Sequence, residues 1–364
     1  MTKIPIESSL KRHAARFRWE VLEDVLTRLS LGEKVGSRKK EMDEFFTEND
    51  LTSPDLKAYF LMLRQFHEED GEKGIFCASH DRIRTWVSLH EVFVGARSQS
   101  PVVGKCIRYC HDHLFDYGQF SAGKCLSMCS NGKVYWKAAG DWSVAEYIRE
   151  TGFTTCAYCN AHPVETEGRR HSPLDHYYPR ERYPFLALTL SNLIPVCERC
   201  NNLKLKTVYN ALTHANPMAD DLHELVRFDA RPWSPRVFSG RPQKGDLGLE
   251  LNARDATGRG VVALRLVNDL HIESRYQKYH WRAAADLLSL LNGLDSARIE
   301  TLKRFDVGVV SPENVRAYLG FTPDAGLIKG SCLLKMKIDI LAGHTWAMPY
   351  VNAAIRESVD IRES

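Results

Sequence analysis

Apolar residues in the first 150 positions recur at three- and four-residue intervals, and the breaks between runs carry cap chemistry, so this region reads as mostly helical. Phe17, Val21, Val25 and Leu29 mark one stripe, which Gly32 closes. Ser53 followed by Pro54 predicts an N-cap with proline at the first helical position, opening "DLKAYFLMLRQFHEED", which Gly71 ends. A third helix is expected over "DRIRTWVSLHEVFVGA", and Ser143 should cap "VAEYIRE", which stops at Gly152. The stretch "GEKVGSRKKEMDE" mixes both charge signs and reads as a solvated loop or helix start. Far downstream, "LGLELNA" and "VVALRL" alternate as strands about the turn cluster Asp255, Gly258 and Gly260, which predicts a hairpin. From Ile272 to Leu291 the spacing is helical again, Asn292 and Gly293 supply a stop, and "SARIETLKRF" resumes a helix. No internal repeat or low-complexity tract interrupts the chain. The expected fold class is α+β, with a helical N-terminal region over 1–150, a central module over 151–210 and a mixed α/β C-terminal region over 211–364.

Composition adds bounds. A chain of 364 residues, 44% of them hydrophobic, can bury a substantial core. A formal net charge of +3 permits an acidic polymer as partner without demanding one. No apolar run approaches the roughly 18 to 20 residues that span a bilayer, and the N-terminus lacks the apolar core of a signal peptide, so a soluble, cytoplasmic protein with no membrane partner is expected. Ten cysteines, four of them in C-x-x-C pairs, point to reduced thiols and metal ligation over a disulfide framework.

Those pairs are Cys156 with Cys159 in "CAYC" and Cys197 with Cys200 in "CERC", with 37 residues between them. Each pair puts two thiolates on one tight knuckle, and two knuckles give the tetrahedral four-sulfur shell that zinc prefers. Four thiolates leave no open coordination position, so this zinc is expected to be structural. The intervening sequence exceeds the 15 to 20 residues, roughly, of a simple zinc ribbon, so something else is built there. Asp175 and His176 lie in a short segment of strand character that Pro179 breaks. A loop leads to a second apolar strand, Leu193 to Val196, and a helix should start around Cys200 with Asn201 and Lys204 on its early turns.

This order of strand, loop, strand and helix between two zinc knuckles resembles the HNH endonuclease family and its ββα-metal fold. The resemblance rests on "DHYYP", on Asn192-Leu193 opening the second strand, and on "CERCNNLK", in which Asn201 follows the last knuckle directly. It covers about 55 residues, Thr154 to roughly Lys206, and the interleaving of the Asp-His pair with the cysteine pairs makes it specific. By resemblance, His176 is the general base, Asp175 and Asn201 are ligands of a catalytic magnesium or manganese ion, and Asn192 orients the loop that aims His176. Asn202 is the other amide that could serve as ligand. Arg180 and Lys204 are candidates for phosphate contact by charge and closeness in sequence.

The residue types suit phosphodiester hydrolysis. A histidine with an ordinary pKa of about 6.5 can take a proton from water, and a hard divalent cation held by one carboxylate and one amide oxygen keeps positions open for phosphate and water. The resemblance implies nicking or double-strand cleavage of DNA, with RNA as the alternative substrate. It also implies service in restriction, phage defence or a mobile element, with a homodimer or a regulatory partner. A non-catalytic zinc module that recognises nucleic acid or protein is the alternative from another class. Between residues 151 and 206, seven Lys or Arg face five Asp or Glu, so affinity for nucleic acid must come partly from the flanks or be modest. Cys106, Cys110, Cys125 and Cys129 could form a second zinc site, or be buried thiols on a helix face. Trp136, Trp142, Trp281 and Trp346 read as core or interface residues, and His13, His67, His80, His90 and His280 as structural or surface residues.

Overall fold

Helix α1, Trp19–Leu31, forms where the sequence places its stripe: Val21, Leu22, Val25, Leu26 and Leu29 are buried, and Gly32 ends it at φ +80°, a conformation that costs a residue without Cβ little. These residues belong to a computed structural model that describes 19–69, 75–138, 143–166, 171–204, 213–220, 222–232, 247–254 and 258–277, together with Met336 and Asp339. The architecture is α+β, helices with small two-stranded antiparallel sheets. No helix among the described residues is long and apolar enough to cross a membrane.

The chain divides into two compact units, Lys3–Thr151 with Glu165–Pro195, and Met1–Thr2, Gly152–Val164 and Val196–Ser364. The first is built on α2 (Pro54–Glu68), α3 (His80–Ala96) and α4 (Pro101–Tyr109), the last running into a π turn over Cys110–Leu114. Ser53 occupies the N-cap of α2 with Pro54 behind it, yet its side chain makes no capping bond; Ser79 caps α3 by accepting from the Arg82 N–H. Aromatic rings fill the core between the helices: Phe66 stacks on Trp86 at 5.2 Å and meets Phe185 at 5.5 Å. Such side chains contribute about 1.5 to 3 kcal/mol each on full burial.

One hairpin interrupts the helices, β1 (Lys124–Met128) with β2 (Val134–Ala138). Ser37 bridges to Val134, so part of the mixed-charge stretch pairs with a strand instead of lying free, and Lys40–Asp43 forms a short helix. Cys106 and Cys110 are buried on α4 and its π turn, whereas Cys125 lies in β1; among the described residues these cysteines form no metal-capable group. Trp136 donates its indole N–H to the His113 carbonyl. His67 and His90 are buried and His80 opens α3. Phe17, Gly71, His13, Trp142, Trp281, His280 and Trp346 lie outside the described residues.

Burial holds His90 neutral. It is 1% exposed, with Nε2 3.4 Å from the Tyr59 hydroxyl and the Tyr183 and Phe185 rings against it, and desolvation pushes its pKa down to about 4. The unfolded chain binds a proton at His90 below roughly pH 6.5 while the native chain does not until about pH 4. Its contribution is therefore intact above the higher value and is lost as pH falls between the two, by up to roughly 3 kcal/mol. Urea unfolding of the wild type and of His90→Phe across that interval should show the acid-side fall shrinking in the variant.

Helix α5 (Val144–Thr151) ends the first segment of the first unit, with Ser143 accepting from the Glu146 N–H as expected, and the second unit resumes at Gly152. Beyond the knuckles, β5 (Val226–Pro232) pairs antiparallel with β6 (Leu247–Ala253). The hairpin expected between "LGLELNA" and "VVALRL" is not formed: the first is β6, the second lies in helix α7, Gly258–Asp269. The buried set Gly260, Ala263, Leu266, Val267 and Leu270 has helical spacing, and it outweighs the short apparent alternation of Val261 to Leu266. Helix α8, Ile272–Tyr276, follows His271 at φ +49°; the rest of the helix expected to Leu291, and "SARIETLKRF", lie outside the described residues.

Candidate functional site

Strands β3 (Leu174–His176) and β4 (Leu193–Pro195) are three residues each and antiparallel, with Asp175 opposite Ile194 and His176 opposite Leu193. Pro179 turns the chain out of β3. The loop between the strands is packed, not free: Tyr183, Phe185, Leu186, Ala187, Leu188 and Leu190 are all buried. Its polar groups are tied to the helical unit. Thr189 Oγ1 donates to the Ile75 carbonyl at 2.9 Å, Ser191 Oγ to that of Ala78 at 2.7 Å, and the Tyr147 hydroxyl lies 2.7 Å and 3.0 Å from the Leu190 and Leu193 carbonyls. Arg182 pairs with Glu91 on α3.

That anchoring fixes His176, which is half-buried at the end of β3. Its Nε2 lies 2.9 Å from the Ala187 carbonyl oxygen. A carbonyl only accepts, so Nε2 carries the proton and the neutral ring keeps its lone pair on Nδ1, the form a general base requires. The Tyr117 ring meets the imidazole edge-on at 4.6 Å and 81°, setting the ring plane.

Asn192 is fully buried and locks the two ends of the loop together. Its Oδ1 accepts from the Tyr178 N–H at 2.7 Å, and Nδ2 donates to the carbonyls of Leu186 at 2.9 Å and Tyr178 at 3.2 Å. Asn192→Ala would delete these three hydrogen bonds in a dry site, at about 1 to 3 kcal/mol for each buried group left unsatisfied. A fall in denaturation midpoint, with Asn192→Asp also impaired because it lacks the two amide protons, is the expected outcome.

Asp175 is 4% exposed, a carboxylate held in a buried strand pair. Asn201 and Asn202 are consecutive on helix α6, Glu198–Lys204, the first half-buried and the second exposed in an open groove with Glu198, Arg199 and Leu203. Arg180 is half-buried, 3.5 Å from Glu181 and 6.0 Å from the centre of the Tyr117 ring. Lys204 ends α6, and its side chain lies outside the described residues.

The two knuckles come together. All four sulfurs of Cys156, Cys159, Cys197 and Cys200 lie within 4.8 Å of one another, the Cys159 and Cys197 sulfurs 4.0 Å apart, and all four are free, buried thiols. A tetrahedral zinc with bonds of about 2.3 Å needs sulfurs about 3.8 Å apart, so the donor set and its spacing fit that ion. The first knuckle closes on Asn160 at φ +50°, whose N–H donates to the Cys156 carbonyl at 2.8 Å and whose amide donates to Thr155 Oγ1. The second closes at the start of α6, where the Asn201 N–H donates to the Cys197 carbonyl at 3.1 Å. Burial raises the Cys156 thiol above its ordinary range, while hydrogen bonds from Cys156, Cys159 and Cys200 lower that of Cys197. A cation at the centre would hold all four as thiolates.

Several supporting residues have no motif to announce them. Tyr117, Tyr147 and the carbonyls of Ile75 and Ala78 are distant in sequence from the strands they hold, as are Arg275 and Tyr276, which reach the cysteine cluster from α8. No curated protein and no solved structure matches the chain. The family model described as HNH endonuclease matches residues 156–207, so the resemblance carried by the interleaved motifs holds over the segment that contains both knuckles, both short strands and helix α6.

Proposed function

We propose that this chain is a metal-dependent endonuclease that hydrolyses phosphodiester bonds in DNA. The observation that carries the proposal is the imidazole of His176, tied through Nε2 to the Ala187 carbonyl inside the segment matched by the HNH family. Nδ1 takes a proton from water as the water oxygen bonds to phosphorus. The bond from phosphorus to the 3′ oxygen breaks, and solvent protonates that oxygen, leaving 5′ phosphate and 3′ hydroxyl ends. Asp175 and Asn201 offer the hard oxygen donors that suit magnesium or manganese, and such an ion supplies stabilisation of the negative charge on the phosphate and the leaving oxygen. Asp175 and Asn201 alone would hold such an ion weakly, with phosphate and water as its remaining ligands. Arg180 and Lys204 contact flanking phosphates. One module cuts one strand, so a double-strand break needs a homodimer or two successive nicks. The flanking regions suit an effector of phage defence or restriction under control of a partner protein, working in the cytoplasm.

The test is incubation of supercoiled plasmid, and of RNA in parallel, with the zinc-loaded chain in magnesium or manganese. DNA nuclease activity converts the plasmid to open circle and spares the RNA; the reverse pattern makes RNA the substrate, and no cleavage of either leaves a recognition module.

A further inference from the structure

We propose that Arg275 is the buried counter-charge of the four-cysteine cluster, making helix α8 part of the zinc site. The inference rests on zinc at the cluster and is independent of the nuclease activity.

Four thiolates around one zinc ion carry a net charge of −2. The four cysteines are between 0% and 7% exposed, and an anionic centre taken out of water is costly unless a charge or hydrogen bonds compensate it. Arg275 is 0% exposed and is the one arginine among the fully buried large side chains of the described residues. Its Nη1 donates to Cys200 Sγ at 3.0 Å, and its Nη2 donates to the Leu270 carbonyl just past the end of α7. No carboxylate among the described residues pairs with this guanidinium; sulfur is the anion it faces. The fork thus spans from the residue after α7 to a cysteine of the cluster, a geometry that a lysine ammonium cannot reproduce.

The neighbouring residue completes the support. The Tyr276 hydroxyl donates to the Cys159 carbonyl, and its ring packs on Phe228 of β5 at 4.4 Å. Consecutive residues of α8 therefore hold one cysteine from each knuckle, 75 residues beyond Cys200 and 117 beyond Cys159. His271, at φ +49°, turns the chain from α7 into α8 and so aims both side chains. Partners of metal ligands in this position typically change metal affinity ten- to a hundredfold when removed, roughly.

The experiment measures zinc transfer from the full chain to a chromogenic chelator for the wild type, Arg275→Lys, Arg275→Gln and Arg275→Met. Arg275→Met and Arg275→Gln should release zinc roughly ten- to a hundredfold faster, with Arg275→Lys between them and the wild type because it keeps the charge and loses the fork. In the cobalt-loaded chain, the thiolate-to-metal absorption of Arg275→Met should move to longer wavelength, a shift that Tyr276→Phe, which removes the hydrogen bond to the Cys159 carbonyl but no charge, should not produce. Release at the wild-type rate from all three variants overturns the proposal, as does Arg275→Lys releasing as fast as Arg275→Met. Should the neutral variants fail to fold, Arg275→Lys decides: faster release than the wild type upholds the proposal, and an unchanged rate overturns it.

Discussion

Chelating zinc from the chain, or replacing Cys200 by serine, is expected to unfold the unit that holds both knuckles while the helical unit keeps its structure. A structural zinc contributes on the order of 10 kcal/mol to the fold that binds it, and a whole domain has only about 5 to 15 kcal/mol of net stability. The cluster joins Gly152–Val164 to the chain that resumes at Val196, with α8 bonded to both knuckles, so its loss removes the centre of that unit. The helical unit has its own core around Tyr59, Phe60, Phe66 and Trp86. Limited proteolysis after chelation should cut readily between residues 196 and 277 and leave 75–138 protected. Loss of only part of the helical signal in circular dichroism should accompany it. Unchanged protection of the knuckle segment after complete zinc removal would show that the four cysteines are not a structural metal site.

His176→Ala should lower the rate of phosphodiester cleavage by roughly 10²- to 10⁴-fold, the span that a positioned general base supplies. The substitution deletes the hydrogen bond to the Ala187 carbonyl and the edge-on contact with Tyr117, at a half-buried position on a strand end. Loss of that bond to a buried carbonyl costs stability on the order of 1 to 3 kcal/mol, so the variant's melting curve is recorded beside its rate to show that the loss of cleavage is not a loss of fold. Asn192→Ala reverses the balance, because a fully buried amide with three backbone partners is removed and the loop that aims His176 loosens. A variant that folds like the wild type and is inactive, beside one that melts early, separates chemistry from scaffolding.

The parts of the fold that were legible in the sequence are those governed by local rules. Helices α2 and α5 start at Ser53 and Ser143 because serine before an apolar periodic run satisfies orphan N–H groups or marks where proline can enter. The cysteine cluster was legible because two knuckles at fixed spacing admit few other uses. "VVALRL" misled because six residues cannot separate period 2 from period 3.6, and the arbiter, the buried set extending from Gly260 to Leu270, is a property of the packed unit. The hairpin β1–β2 went unread in a region whose neighbours are helical, although the turn at Asn131 and Gly132 sits between its strands. The long-range bonds that anchor the loop around His176 were not legible: Thr189 reaches back 114 residues, Ser191 113 and Tyr147 forward 43, and no local pattern encodes such pairings.

The most direct measurement is nicking of supercoiled plasmid by the zinc-loaded wild type and by His176→Ala in magnesium, with both proteins shown to be folded and to carry equal zinc. Open-circle DNA bearing 5′ phosphate ends from the wild type, and none above background from the variant, is the expected result. Equal nicking by both proteins, or an intact plasmid with both in magnesium and in manganese, would contradict a DNA nuclease built on His176.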